Sequence, residues 1–253
     1  MISRIFLMLY SVLAYAASMA SLVYMALWLV GVVVPNPLDG PAIGPLWQSL
    51  LINLVLVLVF ALQHSVMARP SFKAWWTRVV SPAVERSTYV LFSTLALMTL
   101  MVFWRPLGGT VWELTGTAEL VMLGVYAGGW ALLVSATFLI NHFDLFGLRQ
   151  AWINLRGNAY TELPFVVRGY YHVIRHPIYA GWMVLIWAAP HMTISHLVFA
   201  VATTLYMVAA IRWEEHDLKE VLPEYDDYAR QVPAFAPDGR RFRESGSTPA
   251  ELH

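Results

Sequence analysis

The chain has no cysteine and little charge. Of its 253 residues, 13% are Asp, Glu, Lys or Arg and 58% are hydrophobic, and sixteen basic residues balance sixteen acidic ones. Without cysteine there is no disulfide framework, no thiolate zinc site and no cysteine nucleophile. A soluble domain carries about 25% charged residues, so roughly half the usual charge is missing. That argues against a disordered chain and against a soluble globular enzyme. A net charge of zero leaves no basic surface for nucleic acid. No internal repeat of the kind that marks many transporters is present.

The missing charge leaves long apolar runs. Uncharged stretches extend from Ile5 to Val34, Gly40 to Ala68, Ser87 to Trp104, Leu120 to Phe143 and His176 to Ile211. About 20 apolar residues cross a bilayer as a helix, so the first four runs predict one span each. The first run far exceeds the roughly 7–15 residues of a signal-peptide core. As one helix the last run would reach about 54 Å, and Ala189-Pro190-His191-Met192-Thr193 interrupts it. It predicts a hairpin with a short leg, Ile178–Ala189, and a longer one, Ile194–Ile211. The short leg crosses only if tilted or sheltered by its neighbours. The expected fold is an all-α integral membrane protein: four transmembrane helices plus a C-terminal helical hairpin, five to six spans in all.

The basic residues orient these spans. With the N-terminus inside, fifteen of the sixteen fall on the inner side and only Arg105 lies outside. The positive-inside rule therefore predicts that both termini face the cytosol across the cytoplasmic membrane. Residues 1–237 read as one domain, with cytosolic cofactor-binding segments at 141–182 and 212–237. Residues 238–253, with Gly, Ser, Thr and Pro among charges, read as a disordered tail.

Polar groups at membrane depth are expensive, so those present are informative. On this topology His64 closes the second span, and His142 and Asp144 close the fourth. His176 opens the fifth, and Glu214 and Glu215 follow the sixth. All lie at the cytosolic boundary, whereas His191 and His196 lie at the other end. Asn53 shares a helical face with His64, and Thr137 with Asn141. Such residues either bond neighbouring helices or serve a site. Both readings stand open for His64, His142 and Asp144.

The stretch Arg168 to Trp182 carries more specific chemistry. Pro177 suits a first helical position, which places His176 near the N-cap. The amides of Ile178 and Tyr179 then lack partners within the helix and favour an anion. Arg175 can add a two-point grip on a carboxylate, and Gly181 leaves room for a ligand or a helix. Alternatively, Arg175 and His176 only mark the inner side. Glu214 and Glu215 can hold ribose hydroxyls or an ammonium group. They can instead pair with Arg212, Lys219 or Arg175, and exposed pairs of that kind contribute about 0–1 kcal/mol. A carboxylate-binding helix start beside a diol-binding acidic pair suits an amino-acid-bearing nucleoside such as S-adenosylmethionine.

Arg175-His176-Pro177-Ile178-Tyr179-Ala180-Gly181 resembles the R-H-P-x-Y-x-G motif of the isoprenylcysteine carboxyl methyltransferase superfamily. Glu214-Glu215-His216-Asp217-Leu218, with Tyr225 and Tyr228, resembles its E-E-x-x-L and C-terminal tyrosine segment. The stretches from Asn141 to Gln150 and from Gln63 to Arg69 are similar to a narrower branch. It holds nurim-like proteins and membrane-bound methanethiol S-methyltransferases. The resemblance covers residues 1–237.

It implies methyl transfer from S-adenosylmethionine to methanethiol, giving dimethyl sulfide. The cofactor site would hold Arg175, His176, Pro177, Tyr179, Gly181, Glu214 and Glu215. An in-line transfer needs a thiolate, for which His64 and His142 are candidate bases, with Asp144 orienting an imidazole. A divalent metal on His64, His142 and Asp144 is a second mechanism, although no HxxxH-type spacing supports it. Rival functions are methylation of a prenylcysteine or other lipid-borne carboxylate and a non-catalytic nurim-like role. A sterol reductase would need more spans and a basic cluster for a 2′-phosphate.

Overall fold

The computed structural model describes residues 1–235, and the tail expected to be disordered, 238–253, lies outside them. The described chain is nearly all α-helix. Five helices are long and apolar enough to cross a membrane: α1 (Ile2–Leu29), α2 (Leu46–Ala68), α4 (Glu85–Phe103), α5 (Thr117–Ile140) and α9 (Ile194–Val221). Shorter helices lie between them: α3 (Pro70–Trp76), α6 (His142–Leu145), α7 (Leu148–Leu155), α8 (Pro177–Trp187) and, last, α10 (Tyr225–Gln231). A single 3₁₀ turn spans Gly169–His172.

The predicted hairpin forms with its two legs unequal. Helix α8 has 11 residues, about 16 Å, and cannot cover a hydrocarbon core of about 30 Å. It is sheltered instead by α5. A Cβ on Gly181 would lie 2.9 Å from both the backbone nitrogen and the Cβ of Leu133, and one on Gly129 would lie 3.0 Å from the nitrogen of Leu185. Two glycines thus let the α5 and α8 backbones approach closely, as small residues do between membrane helices. Helix α9 has 28 residues, about 42 Å, and runs ten positions past the predicted end at Ile211. The acidic pair is therefore carried on the helix itself, beyond the length a bilayer requires.

Between the hairpin legs, β2 (His191–Thr193) pairs antiparallel with β1 (Thr110–Glu113), two short strands that hydropathy alone does not reveal. Beneath them Trp28, Trp104 and Phe199 meet edge to face, with centroids 5.3–5.9 Å apart, a favourable aromatic geometry. Asn53 accepts from the Arg105 amide at 2.9 Å and donates to the Arg105 carbonyl at 2.7 Å. It satisfies the backbone where α4 ends, which is the helix-bonding reading of that residue. Helix α1 buries Ser11, Ala14, Ser18, Ser21, Met25 and Trp28, a three-four spacing that forms one continuous seam. Ser11 meets Ser87 of α4 at 2.8 Å and Tyr10 meets Thr88 at 3.0 Å.

Candidate active site

At the Arg-rich end, α9 carries Glu214 and Glu215 to the start of α8. Pro177 is buried at the first position of α8, where a missing N–H costs nothing. Tyr179 donates its hydroxyl to Glu214 Oε2 at 2.8 Å. Glu215 Oε1 accepts from Arg175 Nε at 2.9 Å, Arg175 Nη2 at 2.6 Å and His176 Nε2 at 2.9 Å. Arg175 Nη1 donates to the carbonyls of Ala229 and Val232. The amides of Arg175 and His176 bond Pro233 O at 2.9 Å and Ala234 O at 3.2 Å, and the Tyr228 hydroxyl bonds Tyr171 O at 2.7 Å. The segment after α9 is thereby laced across the start of α8.

Two expectations change here. The Arg175 fork, expected to grip an outside carboxylate, is spent on Glu215 and two carbonyls. The Arg175–Glu215 pair, one of the alternatives the sequence leaves open, is the one that forms. The space at Gly181 admits α5 rather than a ligand.

Other groups at this place keep their capacity. The Ala180 amide already bonds His176 O at 2.9 Å, which leaves the Ile178 and Tyr179 amides at the mouth of the helix. The Tyr225 hydroxyl is buried against the Arg175 guanidinium, whose fork also serves Glu215 and two carbonyls. Phe165, Tyr225 and Tyr228 form an aromatic group with centroids 5.5–6.2 Å apart, and Phe235 lies 6.0 Å from the His176 ring. Burial first, then the Glu214 charge, raises the Tyr171 phenol above its ordinary range. Burial and then Glu215 do the same for Tyr225. Tyr228 is pushed up to about 12 by burial. All three remain neutral hydrogen-bonding phenols at physiological pH.

His64 occupies a second cluster, formed by α2, α4 and α9. Its ring stacks on Phe60 at 5.4 Å, its Nδ1 lies 3.1 Å from Ser93 Oγ, and the Tyr89 hydroxyl lies 3.0 Å from Nε2 and 3.1 Å from Nδ1. Ser93 donates its one hydrogen to Tyr89 O at 2.9 Å, so its oxygen can only accept from His64. The proton therefore sits on Nδ1, and Nε2 keeps a lone pair towards Tyr89. Tyr206 of α9 packs edge-on against Phe60 at 6.2 Å. Tyr206 and Glu214 both lie on α9, about two turns apart, so this cluster and the acidic pair share a helix.

His142 lies in a third cluster. Thr137 Oγ1 donates to Val134 O at 2.6 Å and so accepts from His142 Nδ1 at 2.8 Å, while the Tyr15 hydroxyl meets Nε2 at 2.9 Å. The ring stacks on Phe138 at 4.3 Å, and burial holds its pKa below the ordinary 6.5. Asp144, expected to orient an imidazole, instead binds Arg149 at 2.9 Å and Tyr160 at 3.3 Å. The reason is local. Asn141 turns the chain with φ 100° and caps the Asp144 amide, which sends the carboxylate towards α7. Among the described residues no three His, Cys, Asp or Glu side chains are grouped to hold a metal. The shared metal on His64, His142 and Asp144 thus has no ligand set here.

Arg86 joins the last two clusters, donating to Leu145 O at 2.8 Å with its guanidinium 5.0 Å from the Tyr89 ring centre. The sequence reading passes over Arg86, Tyr89 and Tyr206. The one signal for them is position, since each falls within about two helical turns of the boundary that carries the histidines.

No family model and no solved structure matches the chain. Curated relatives do. It is 44% identical over 238 residues to methanethiol S-methyltransferase of Crocosphaera subtropica, covering 93% of each chain. It is 42% identical over 236 residues to the protein of that name from Mycobacterium tuberculosis, covering 92% of this chain and 97% of the relative. Nurim of Bos taurus is 30% identical over 187 residues, with 68% of this chain and 70% of nurim covered. With near-complete coverage at that identity, the chain belongs to the methanethiol S-methyltransferase family.

Proposed function

We propose that the protein methylates methanethiol to dimethyl sulfide with S-adenosylmethionine, at a site facing the cytosol at the edge of the cytoplasmic membrane. The observation that carries this reading is the meeting of Glu214, Glu215 and the start of α8 beside the buried Tyr225 hydroxyl. The groups gathered there match the cofactor part by part. Glu214 and Tyr225 fit ribose hydroxyls or the ammonium group, and Phe165, Tyr228 and Phe235 fit an adenine face. The Ile178 and Tyr179 amides fit the carboxylate. Arg175, His176, Pro177 and Gly181 act one step back, fixing Glu215 and packing α8 so that these groups hold their places.

When bound, the cofactor supplies a methyl group on a sulfonium sulfur, already activated for in-line transfer to a thiolate. The chain must then remove a proton from a small thiol, and alkyl thiols are weaker acids than the roughly 8.5 of cysteine. His64 is placed for this. Its Nε2 lone pair accepts the thiol proton, directly or through the Tyr89 hydroxyl, while Ser93 fixes the tautomer. His142 is assigned to joining α1 to α5, and Asp144 to fixing the turn before α7.

Calorimetry of the detergent-solubilised protein with S-adenosylmethionine tests the cofactor assignment. One-site binding is expected, weakened about tenfold or more by Glu214→Gln, the range for losing a charge-assisted hydrogen bond. Absence of binding to the wild type would remove the reading and leave a nurim-like, non-catalytic role.

A further inference from the structure

Between α2 and α9 the helices part to form a cleft of about 500 Å³. Leu54, Leu58 and Ala61 of α2 and Ala202 of α9 line its walls, and Arg69 and Trp213 stand at its Arg-rich end. Its lining faces the bilayer: Leu54, Leu58 and Leu62 are 44–54% exposed at the helix surface. The polar groups deep in the cleft are Ser65 and Tyr206, hydrogen-bonded to each other at 3.1 Å.

That pair is where the cleft meets the candidate site. Tyr206 lines the cleft on one side. On the other it packs against Phe60, which stacks on His64. At the membrane surface, Arg69 binds Asp217 at 2.8 Å and the Trp213 carbonyl at 3.2 Å, closing the end of the cleft towards water. The cleft is thus open to lipid, closed to water and separated from His64 by the rings of Tyr206 and Phe60.

We infer that this cleft is the lipid-side route by which a small apolar thiol reaches the site and its thioether leaves, with the Ser65–Tyr206 pair as the inner gate. The inference rests on the function proposed above. Its occupant is a neutral thiol, and the lining fits it because an apolar wall adds no desolvation penalty for a solute already dissolved in hydrocarbon. The gate also limits size. Opening it breaks one hydroxyl–hydroxyl bond and turns the Tyr206 ring past Phe60, which admits a methyl thiol more readily than a longer chain.

The test plugs the cleft from each wall in turn. Ala61→Phe and Ala202→Phe are assayed as full-length protein in lipid nanodiscs, with headspace detection of dimethyl sulfide and calorimetry for S-adenosylmethionine. Each plug is expected to lower kcat/KM for methanethiol by about tenfold or more through KM, with kcat at saturating thiol retained. Cofactor affinity should not change, and it also certifies that the variant is folded. Tyr206→Phe, which removes the gate bond, should raise the rate with propanethiol relative to methanethiol by about fivefold, the scale of one weak hydrogen bond. An active wild type with both plugged variants folded and kinetically unchanged would overturn the route, and would instead assign the cleft to a lipid acyl chain. An inactive wild type would sink the functional reading and the route with it.

Discussion

Single atoms decide which imidazole can act as a base. Ser93 and Thr137 each give their only hydroxyl hydrogen to a backbone carbonyl, and so force the proton of His64 and His142 onto Nδ1. Both Nε2 atoms face a tyrosine hydroxyl, but only the His64 cluster includes a residue, Tyr206, of the helix that carries Glu214. His64→Gln should therefore lower kcat by about 10²-fold, the usual range for losing a positioned base. His142→Gln should leave the turnover of folded protein within about threefold and reduce thermal stability instead. Stopped-assay kinetics and melting in the same detergent separate the two, and the opposite pattern would reverse the assignment. Arg175 makes a comparable case. Lysine cannot reproduce a fork that serves Glu215 and two carbonyls, so Arg175→Lys should weaken S-adenosylmethionine binding about tenfold. It should also expose 225–235 to protease, and unchanged affinity would deny Arg175 its positioning role. The motif around Arg175 and the acidic pair were legible in sequence. That Arg175 and Glu215 satisfy each other was not, because the sequence cannot say which of several open ion pairs forms.

At the scale of elements, hydropathy locates four of the five long helices to within about six residues, since lipid demands a run of fixed length, while α9 runs ten residues past its predicted end. The short leg of the hairpin is explained by packing instead. Helix α8 holds its place because Gly129 and Gly181 admit α5 at backbone distance. Gly181→Ala would force Leu133 or its backbone aside, and overpacking of that kind costs about 1–3 kcal/mol. A lower melting temperature with intact α-helical circular dichroism is expected, together with weaker cofactor binding, because α8 carries His176 and Tyr179. A variant that melts with the wild type would show the contact to be soft. The seam on α1 was also present in sequence, as serines and an alanine at three-four spacing. Small polar residues in an apolar run raise no hydropathy signal, so it became visible only once α4 lay against it. The β1–β2 pair was hidden for a different reason: strands of three and four residues are too short for alternation to register.

For the whole molecule, the uneven distribution of charge is the organising fact. Among the described residues, every basic residue except Arg105 lies at the end where α8, α9 and α10 assemble the candidate site. On the positive-inside rule that end would face the cytosol, as the proposed use of a cytosolic methyl donor requires. The absence of cysteine makes this directly measurable, because an introduced thiol has no background. A cysteine at Asn158 should react with an impermeant maleimide only in inverted vesicles, and one at Glu113 only in intact cells. The reverse labelling would turn the site outward and separate it from its methyl donor.

The account rests most heavily on the reaction itself. Purified protein in nanodiscs should convert methanethiol and methyl-deuterated S-adenosylmethionine to dimethyl sulfide carrying one labelled methyl group. Product should appear in step with S-adenosylhomocysteine, and Glu214→Gln should slow it at least about tenfold. A wild-type protein that binds the cofactor yet leaves methanethiol unmethylated, or that labels another acceptor in preference, would contradict it.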